Sequence, residues 1–292
     1  MLGNNDTMGC AMTLPAPAKL NLFLHVTGRR DDNYHLLETL LVPIDRGDRI
    51  RLTLREDAQV IRARGPAGVA SDDDLSVRAA RLLQHACGLT RGVDIDVDKQ
   101  IPLGGGLGGG SSDAATVLLG LNRMWHLGLT RTALMALAVE LGADVPFFVL
   151  GAPAFARGIG EVLEPVSIPP TWFVVVTPPV QVATAAIFAA PELTRNSRSA
   201  KMPVFSEGYG RNDLQAVAAS RFPEIAASLD ALSRGAAGAA SIGMSGSGAC
   251  VFAAFSAEST ALQALAQMGH AGRAAFVARA LNEHPLRRFA AP

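Results

Sequence analysis

Only three of the 26 Lys+Arg residues in this chain are lysines, Lys19, Lys99 and Lys201. Where arginine carries nearly all the positive charge, a remaining lysine hints at a place that wants a compact ammonium rather than a planar fork. Cysteine is as sparse. Cys10, Cys87 and Cys250 stand alone, with no C-x-x-C pair and no histidine partner nearby, which argues against zinc and fits a reducing, cytoplasmic setting. Net charge is absent too: Lys+Arg and Asp+Glu balance at 26 each, so no overall field draws the chain to nucleic acid or an anionic membrane. No apolar run approaches the roughly 20 residues a membrane span needs. The start carries Asn4, Asn5 and Asp6 and lacks both parts of a signal peptide, so residues 1–14 are expected to form a disordered extension. What remains is an ordinary globular composition, 49% hydrophobic and 18% charged over 292 residues, enough for two domains.

Glycine is what the chain has in local excess. Six of the seven residues 104–110 are glycine, framed by Pro102 and by Ser111 and Ser112, and the run passes straight into a helical pattern of Ala114, Val117, Leu118 and Leu121. Packing does not explain such a cluster. Positive φ angles and bare N–H groups aimed at an anion do, and a helix start capped by Ser111, Ser112 or Asp113 adds to that. The predicted ligand is a phosphate.

Around this run the periodicities alternate between two and 3.6. Residues 18–26 read as a strand in which Lys19, Asn21 and Phe23 alternate with Leu20, Leu22 and Leu24. Lys19 and Asn21 there suit an edge strand with a wet face as well as they suit a site. Residues 48–54 alternate again, and Val60–Arg64 is expected to pair with them. A helix over 75–87 follows Asp72, Asp73 and Asp74 as candidate caps, and Val93 to Val97 is a clear alternating strand delivering Lys99. A second helix, 131–141, ends at Gly142, after which Asp144 sits in an apolar turn before Pro146, either as a buried cap or as a functional carboxylate. Gly158-Ile159-Gly160 is the expected domain junction. Residues 194–203 carry Ser, Arg and Pro and are expected to be mobile, and Gly246-Ser247-Gly248 opens a second glycine-serine loop before an apolar strand.

Two familiar phosphate motifs fail on the central run. Gly104-x-Gly106-x-x-Gly109 matches the dinucleotide fingerprint literally, but the residues after it are helical where a strand ending in an acid is required. Aligned on Gly105 and Gly110, a P-loop would need its lysine at Ser111, and no basic residue follows before Arg123. The neutralising charge therefore comes from elsewhere, with Lys19 and Lys99 as candidates.

Residues 102–115 resemble the second motif of the GHMP small-molecule kinases, and Gly246-Ser247-Gly248 resembles the third. Pro17-Ala18-Lys19-Leu20-Asn21-Leu22, Tyr34-His35, Gly142-Ala143-Asp144-Val145-Pro146 and the serine-glycine loop stand in the order found in one branch of that family. The resemblance implies an α+β fold in two domains, ribosomal-protein-S5-domain-2-like over 15–160 and a ferredoxin-like α/β sandwich over 161–292. It implies ATP-dependent phosphorylation of the 2-hydroxyl of a cytidine diphosphate methylerythritol, in the non-mevalonate route to isoprenoid precursors.

Residue by residue, the resemblance makes Asp144 the general base and Lys19 its partner. It puts ATP against Lys99, Pro102, Gly104, Gly105, Gly106, Leu107, Gly108, Gly109, Gly110, Ser111 and Ser112. It puts the substrate against Asn21, Tyr34, His35, Thr184, Phe188, Gly246 and Ser247, with the cytosine between Tyr34 and Phe188. Mg²⁺ is expected to accompany ATP with no protein ligand set visible, and the enzyme is expected to be a cytoplasmic monomer or weak homodimer. One position departs from the pattern: Asp74-Leu75 stands where Asn-Leu is expected on the adenine side, and an ionised aspartate cannot donate as asparagine does. Another GHMP kinase, with no use for Tyr34, His35 and Phe188, and a nucleotide-binding module without turnover are the alternatives.

Overall fold

The structure, a computed structural model, describes residues 10–199, 211–268 and 273–292. Its frame is a long hairpin. Strand β1 (Ala11–Arg29) runs antiparallel to β2 (His35–Arg55), from Ala11 opposite Thr53 to Arg29 opposite His35. β2 is long enough to serve two further neighbours: its end pairs with β4 (Gly92–Asp98), and Thr39 to Leu41 near its start pair with β5 (Ala154–Arg157). With β3 (Val60–Arg64) beyond β4 and β6 (Val162–Pro165) beyond β5, these make a six-stranded sheet. Four helices belong to this half: α1 (Leu75–Ala86), α2 (Gly109–Met124), α3 (Arg131–Leu141) and α4 (Val145–Leu150). Leu14, Ile50, Leu52 and Ile95 of the sheet meet Val77, Leu83, Val117, Leu118 and Phe147 of the helices in one core.

The second half is a four-stranded antiparallel sheet in the order β10 (Ala274–Arg279), β7 (Trp172–Thr177), β9 (Val251–Phe255), β8 (Ser241–Met244). Helices α5 (Thr184–Phe188), α6 (Gln215–Arg221), α7 (Pro223–Gly235) and α8 (Glu258–Met268) go with it. A third core joins the halves, with Leu20, Phe23, Leu40 and Phe155 from the first sheet against Phe173, Val175 and Phe252 from the second. Each of those phenylalanines is within 1% of full burial, a contribution of roughly 1.5–3 kcal/mol apiece.

Several expectations are corrected. The N-terminal extension ends earlier than residue 14, because Ala11 to Leu14 already pair with β2 and Leu14 is buried in the first core; residues 1–9 lie outside those described. β3 pairs in parallel with β4 and not with β2, whose outer edge β4 already occupies. Gly158-Ile159-Gly160 is the turn of the β5–β6 hairpin, so the passage to the second sheet falls after Pro165 and before Trp172. At the other end, Leu286 and Ala290 return to the first core and Thr130 bridges to Ala291. Residues 194–199 are tied down by Ser197, whose N–H donates to Val26 O and whose hydroxyl donates to Asp213; the remainder of that stretch lies outside the described residues.

Nor does β1 keep a wet face. Its register shifts between Asn21 and Leu24, so Phe23 enters the joining core while Leu24 and Val26 enter the core of the second half. Its free edge is covered: Lys19 N–H donates to Leu107 O, and Leu24 exchanges backbone bonds with Arg211 and Asp213. Lys19 and Asn21 are 4% and 3% exposed.

Candidate active site

The glycine loop forms one wall of a cleft of about 910 Å³, whose lining also includes Lys19, Tyr34, His35, Asp144, Phe188 and Ser247. Gly104, Gly106 and Gly108 alternate with φ of 68°, 74° and 70°, the left-handed region. Gly106 has no substitute for a second reason, since a Cβ there would lie 2.2 Å from Ser245 O. Three consecutive carbonyls of the loop are occupied. Cys250 N–H donates to Gly105 O, the Ser245 hydroxyl to Gly106 O and Lys19 N–H to Leu107 O, at 2.9–3.1 Å. α2 starts at Gly109, with Gly108 as N-cap and no side-chain cap, so the amides of its first turn are left for a ligand. This corrects the expected capping. Starting earlier also turns Ser112 away from the cleft: it is fully buried and donates to Pro17 O at 2.6 Å. Ser111 and Gly104 through Gly110 do face the cleft.

Both ends of the loop are held by one buried group of charges. Asp48 Oδ1 accepts from the N–H groups of Gln100 and Ile101 at 2.6 and 2.7 Å, and Lys99 Nζ reaches Asp48 Oδ2 at 2.5 Å and Asp113 Oδ2 at 2.8 Å. Burial pushes the Asp113 carboxyl up to about 7, opposed by the Lys99 ammonium and reinforced by Asp48. Burial works against the Lys99 charge, but the two carboxylates outweigh it and raise its affinity for the proton. Lys99 lines the cleft, and its ammonium is held by these two carboxylates. Asp74 is likewise committed: it caps α1 through Ser76 N–H and pairs with Arg62 at 2.9 Å.

Lys19 passes alongside the loop, where its Cε would lie 3.1 Å from a Cβ on Gly108, and ends 2.5 Å from Asn21 Oδ1 and 3.5 Å from Asp144 Oδ2. Asn21 is itself held by Thr39, whose hydroxyl accepts from its amide at 2.9 Å. Asp144 occupies the N-cap position of α4 but makes no capping bond with its side chain, which is 39% exposed and lines the cleft. The arrangement joins a buried cation, an accessible carboxylate and unpaired helix-terminal amides, which suits phosphoryl transfer to a hydroxyl.

At the far end of the cleft, His35 stacks on Phe188 with ring centroids 4.9 Å apart and an angle of 29°. Tyr34, on the same cleft wall, is 61% exposed. Arg195 Nε donates to His35 Nε2 at 3.1 Å. Burial, then the charges of Arg195 and Arg29, hold the imidazole below its usual pKa. The hydroxyls of Thr184 and Ser247 are 2.7 Å apart across the same end, and Gly246 lies beside them on the cleft wall. Asp48 and Arg195 were not among the residues expected from sequence. Neither carries a local signal, one lying in a strand and the other in a stretch that looked mobile.

Residues 74–152 match the model of the GHMP kinases N terminal domain, and residues 192–283 match that of the GHMP kinases C terminal. The chain belongs to the GHMP kinases, and it is a small-molecule kinase. A 4-diphosphocytidyl-2-C-methyl-D-erythritol kinase of Thiobacillus denitrificans is 55% identical over 96% of this chain and 99% of its own length. One of the same name from Nitrosospira multiformis is 52% identical over 96% and 94%. The crystal structure of a 4-(cytidine 5'-diphospho)-2C-methyl-D-erythritol kinase, 36% identical, superposes with a TM-score of 0.78 over 92% of this chain and 99% of that one. Within the GHMP kinases the chain thus falls in the 4-diphosphocytidyl-2-C-methyl-D-erythritol kinase branch. A mevalonate kinase at 12% identity and a TM-score of 0.65 shares the fold.

Proposed function

We propose that the protein transfers the γ-phosphoryl group of ATP to the 2-hydroxyl of 4-(cytidine 5'-diphospho)-2-C-methyl-D-erythritol, giving the 2-phosphate and ADP on the non-mevalonate route. The relatives' shared name supports the substrate, and the Lys19–Asp144 pair beside the glycine loop carries the mechanism. The substrate hydroxyl attacks the γ-phosphorus while its proton passes to Asp144; the new O–P bond forms as the bond to the β,γ-bridging oxygen breaks, and that electron pair leaves with ADP. Lys19 draws the γ-phosphoryl oxygens and holds the carboxylate in place. The loop amides from Gly104 to Gly110 and the start of α2 cradle the phosphates, which need left-handed glycines and a bare helix terminus, both present here.

Among the described residues no three His, Cys, Asp or Glu side chains gather as a cation cage. A Mg²⁺ accompanying the nucleotide would supply charge neutralisation at the phosphates. Tyr34, His35 and Phe188 receive the cytosine, Tyr34 and Phe188 through their faces, where aromatic stacking is worth about 1–3 kcal/mol, and His35 at the edge of the base. Thr184, Ser247 and Asn21 face the rest of the substrate. No helix among the described residues is long and apolar enough to cross a membrane. The protein is taken to work in the cytoplasm as a monomer or weak homodimer, as the resemblance implies. The test is ATP turnover coupled to ADP detection. Turnover on this substrate, and a loss of about 10²–10⁴-fold in kcat for Asp144→Asn, are expected. Full activity in Asp144→Asn removes Asp144 from the mechanism, and no turnover by the wild type removes the substrate.

A further inference from the structure

Among the described residues, Arg195 is the side chain that bonds both to His35 and to the backbone carrying Phe188 at this end of the cleft. Its Nη2 donates to Phe188 O at 2.9 Å and to Ala190 O at 2.6 Å, fixing the end of α5 that carries the Phe188 ring. Nη1 donates to Leu193 O at 3.0 Å, and Nε is turned to His35 Nε2. A guanidinium is a donor at every nitrogen and keeps its charge at any ordinary pH. His35 Nε2 must therefore accept, and a neutral imidazole so held carries its single proton on Nδ1. Nδ1 has no partner among the described residues, and His35 lines the cleft.

We propose that Arg195 is a specificity-determining residue: by fixing His35 as an Nδ1–H donor, it selects a pyrimidine with an acceptor at N3, cytosine over uracil. Cytosine N3 is a lone-pair acceptor, whereas uracil N3 carries a proton and would set donor against donor. The same bond forbids the other form of the ring, since an imidazole protonated at Nε2 would face the guanidinium with two donors. Burial, Arg195 and Arg29 all disfavour the doubly protonated ring, so the reader stays neutral at pH 7. The role rests on the reading that His35 meets the base of a cytidine diphosphate substrate, and Arg195 acts through His35 without touching that base.

Two measurements test it. The ¹⁵N shifts of the His35 imidazole in the wild-type protein are expected to report a proton on Nδ1; a proton on Nε2 overturns the proposal whatever the variants do. The second is kcat/KM on the cytidine substrate and on its uridine counterpart, in wild type and in Arg195→Met. The wild type is expected to prefer cytidine. The variant should lose about tenfold of that preference, the effect of one hydrogen bond, through KM for the cytidine substrate and with KM for ATP unmoved. Equal losses on both substrates, or a wild type indifferent to the base, overturn the specificity role while leaving phosphorylation of the cytidine substrate intact. Failure of the wild type to phosphorylate the cytidine substrate at all would instead count against the parent reading.

Discussion

Lys19 Nζ lies 3.5 Å from Asp144 Oδ2, yet the two differ in setting: the lysine is 4% exposed and the aspartate 39%. The cation is fixed among protein atoms while the carboxylate remains open to the cleft. Their unequal burial predicts which of them tolerates loss of the other.

Lys19→Met is expected to fold and to fail in catalysis. Methionine fills the slot beside Gly108, and Asp144, being solvated, is not left as a buried unpaired charge. A drop in kcat of about 10²–10³-fold is expected, the size of losing one preorganised charge at the transferred group. Steady-state kinetics with a parallel thermal melt check this; near-normal kcat would assign Lys19 to structure alone.

Gly106→Ala and Gly110→Ala should move stability in opposite directions. At 106 the new methyl meets Ser245 O at 2.2 Å in a left-handed backbone, a strain of at least about 1–3 kcal/mol. At 110, inside α2, the nearest atom is Leu75 Cδ1 at 3.7 Å, and alanine should stabilise by roughly 0.5–1 kcal/mol. Urea titration of the two variants separates them, and equal shifts would mean that the loop bends more readily than its packing indicates.

The Asp113 carboxyl, pushed up to about 7 by burial, makes the glycine-loop anchor pH-sensitive. The native state holds a proton there that the unfolded chain has released, so this group's contribution to stability declines as pH rises from about 4 through 7. His284, held down to about 4 by burial and then by Arg131, gives a slope of the other sign between 4 and 6.5. The difference between wild type and Asp113→Asn isolates the first effect. Relative to wild type, the variant should gain stability as pH rises from about 4 to 7 and level off above it, and a flat difference would show that Asp113 is ionised throughout.

Cys250 should resist alkylation in the folded protein while Cys10 reacts. Cys10 is exposed, whereas burial pushes the Cys250 thiol up to about 12, leaving almost no thiolate. Mass spectrometry after brief iodoacetamide treatment, with and without denaturant, distinguishes them. Rapid native labelling of Cys250 would mean that the loop packed over it at Gly105 opens readily.

Most elements were legible from local pattern: the alternation at 93–97, the helical spacing at 75–87 and 131–141, and the glycine run all appear where expected. The pairings were not. Val60–Arg64 reads as a strand, but nothing in five residues shows that its partner is the parallel β4. The wet-edge reading of Lys19 and Asn21 was sound on local grounds and failed because Leu107 and Thr39 come from distant parts of the chain to cover them. Ser112 illustrates a smaller limit. A helix beginning at Gly109 instead of at a serine cap rotates that side chain to the rear face, toward Pro17. Asp48 and Arg195 act through partners more than 50 residues away, Ile101 and His35 among them, which no motif records.

The chain leaves the first sheet after Pro165 and comes back after Arg279, with Leu281 N–H donating to Pro43 O and Arg131 N–H to Ala291 O. The two halves that bound the cleft are thus roped together twice. They are not beads on a single string, and a swing of one against the other has to flex both tethers together. A single proteolytic cut in 166–171 would split the chain into two fragments, yet Leu286 and Ala290 of the second would stay packed in the core of the first, so the halves would be held together without a covalent link.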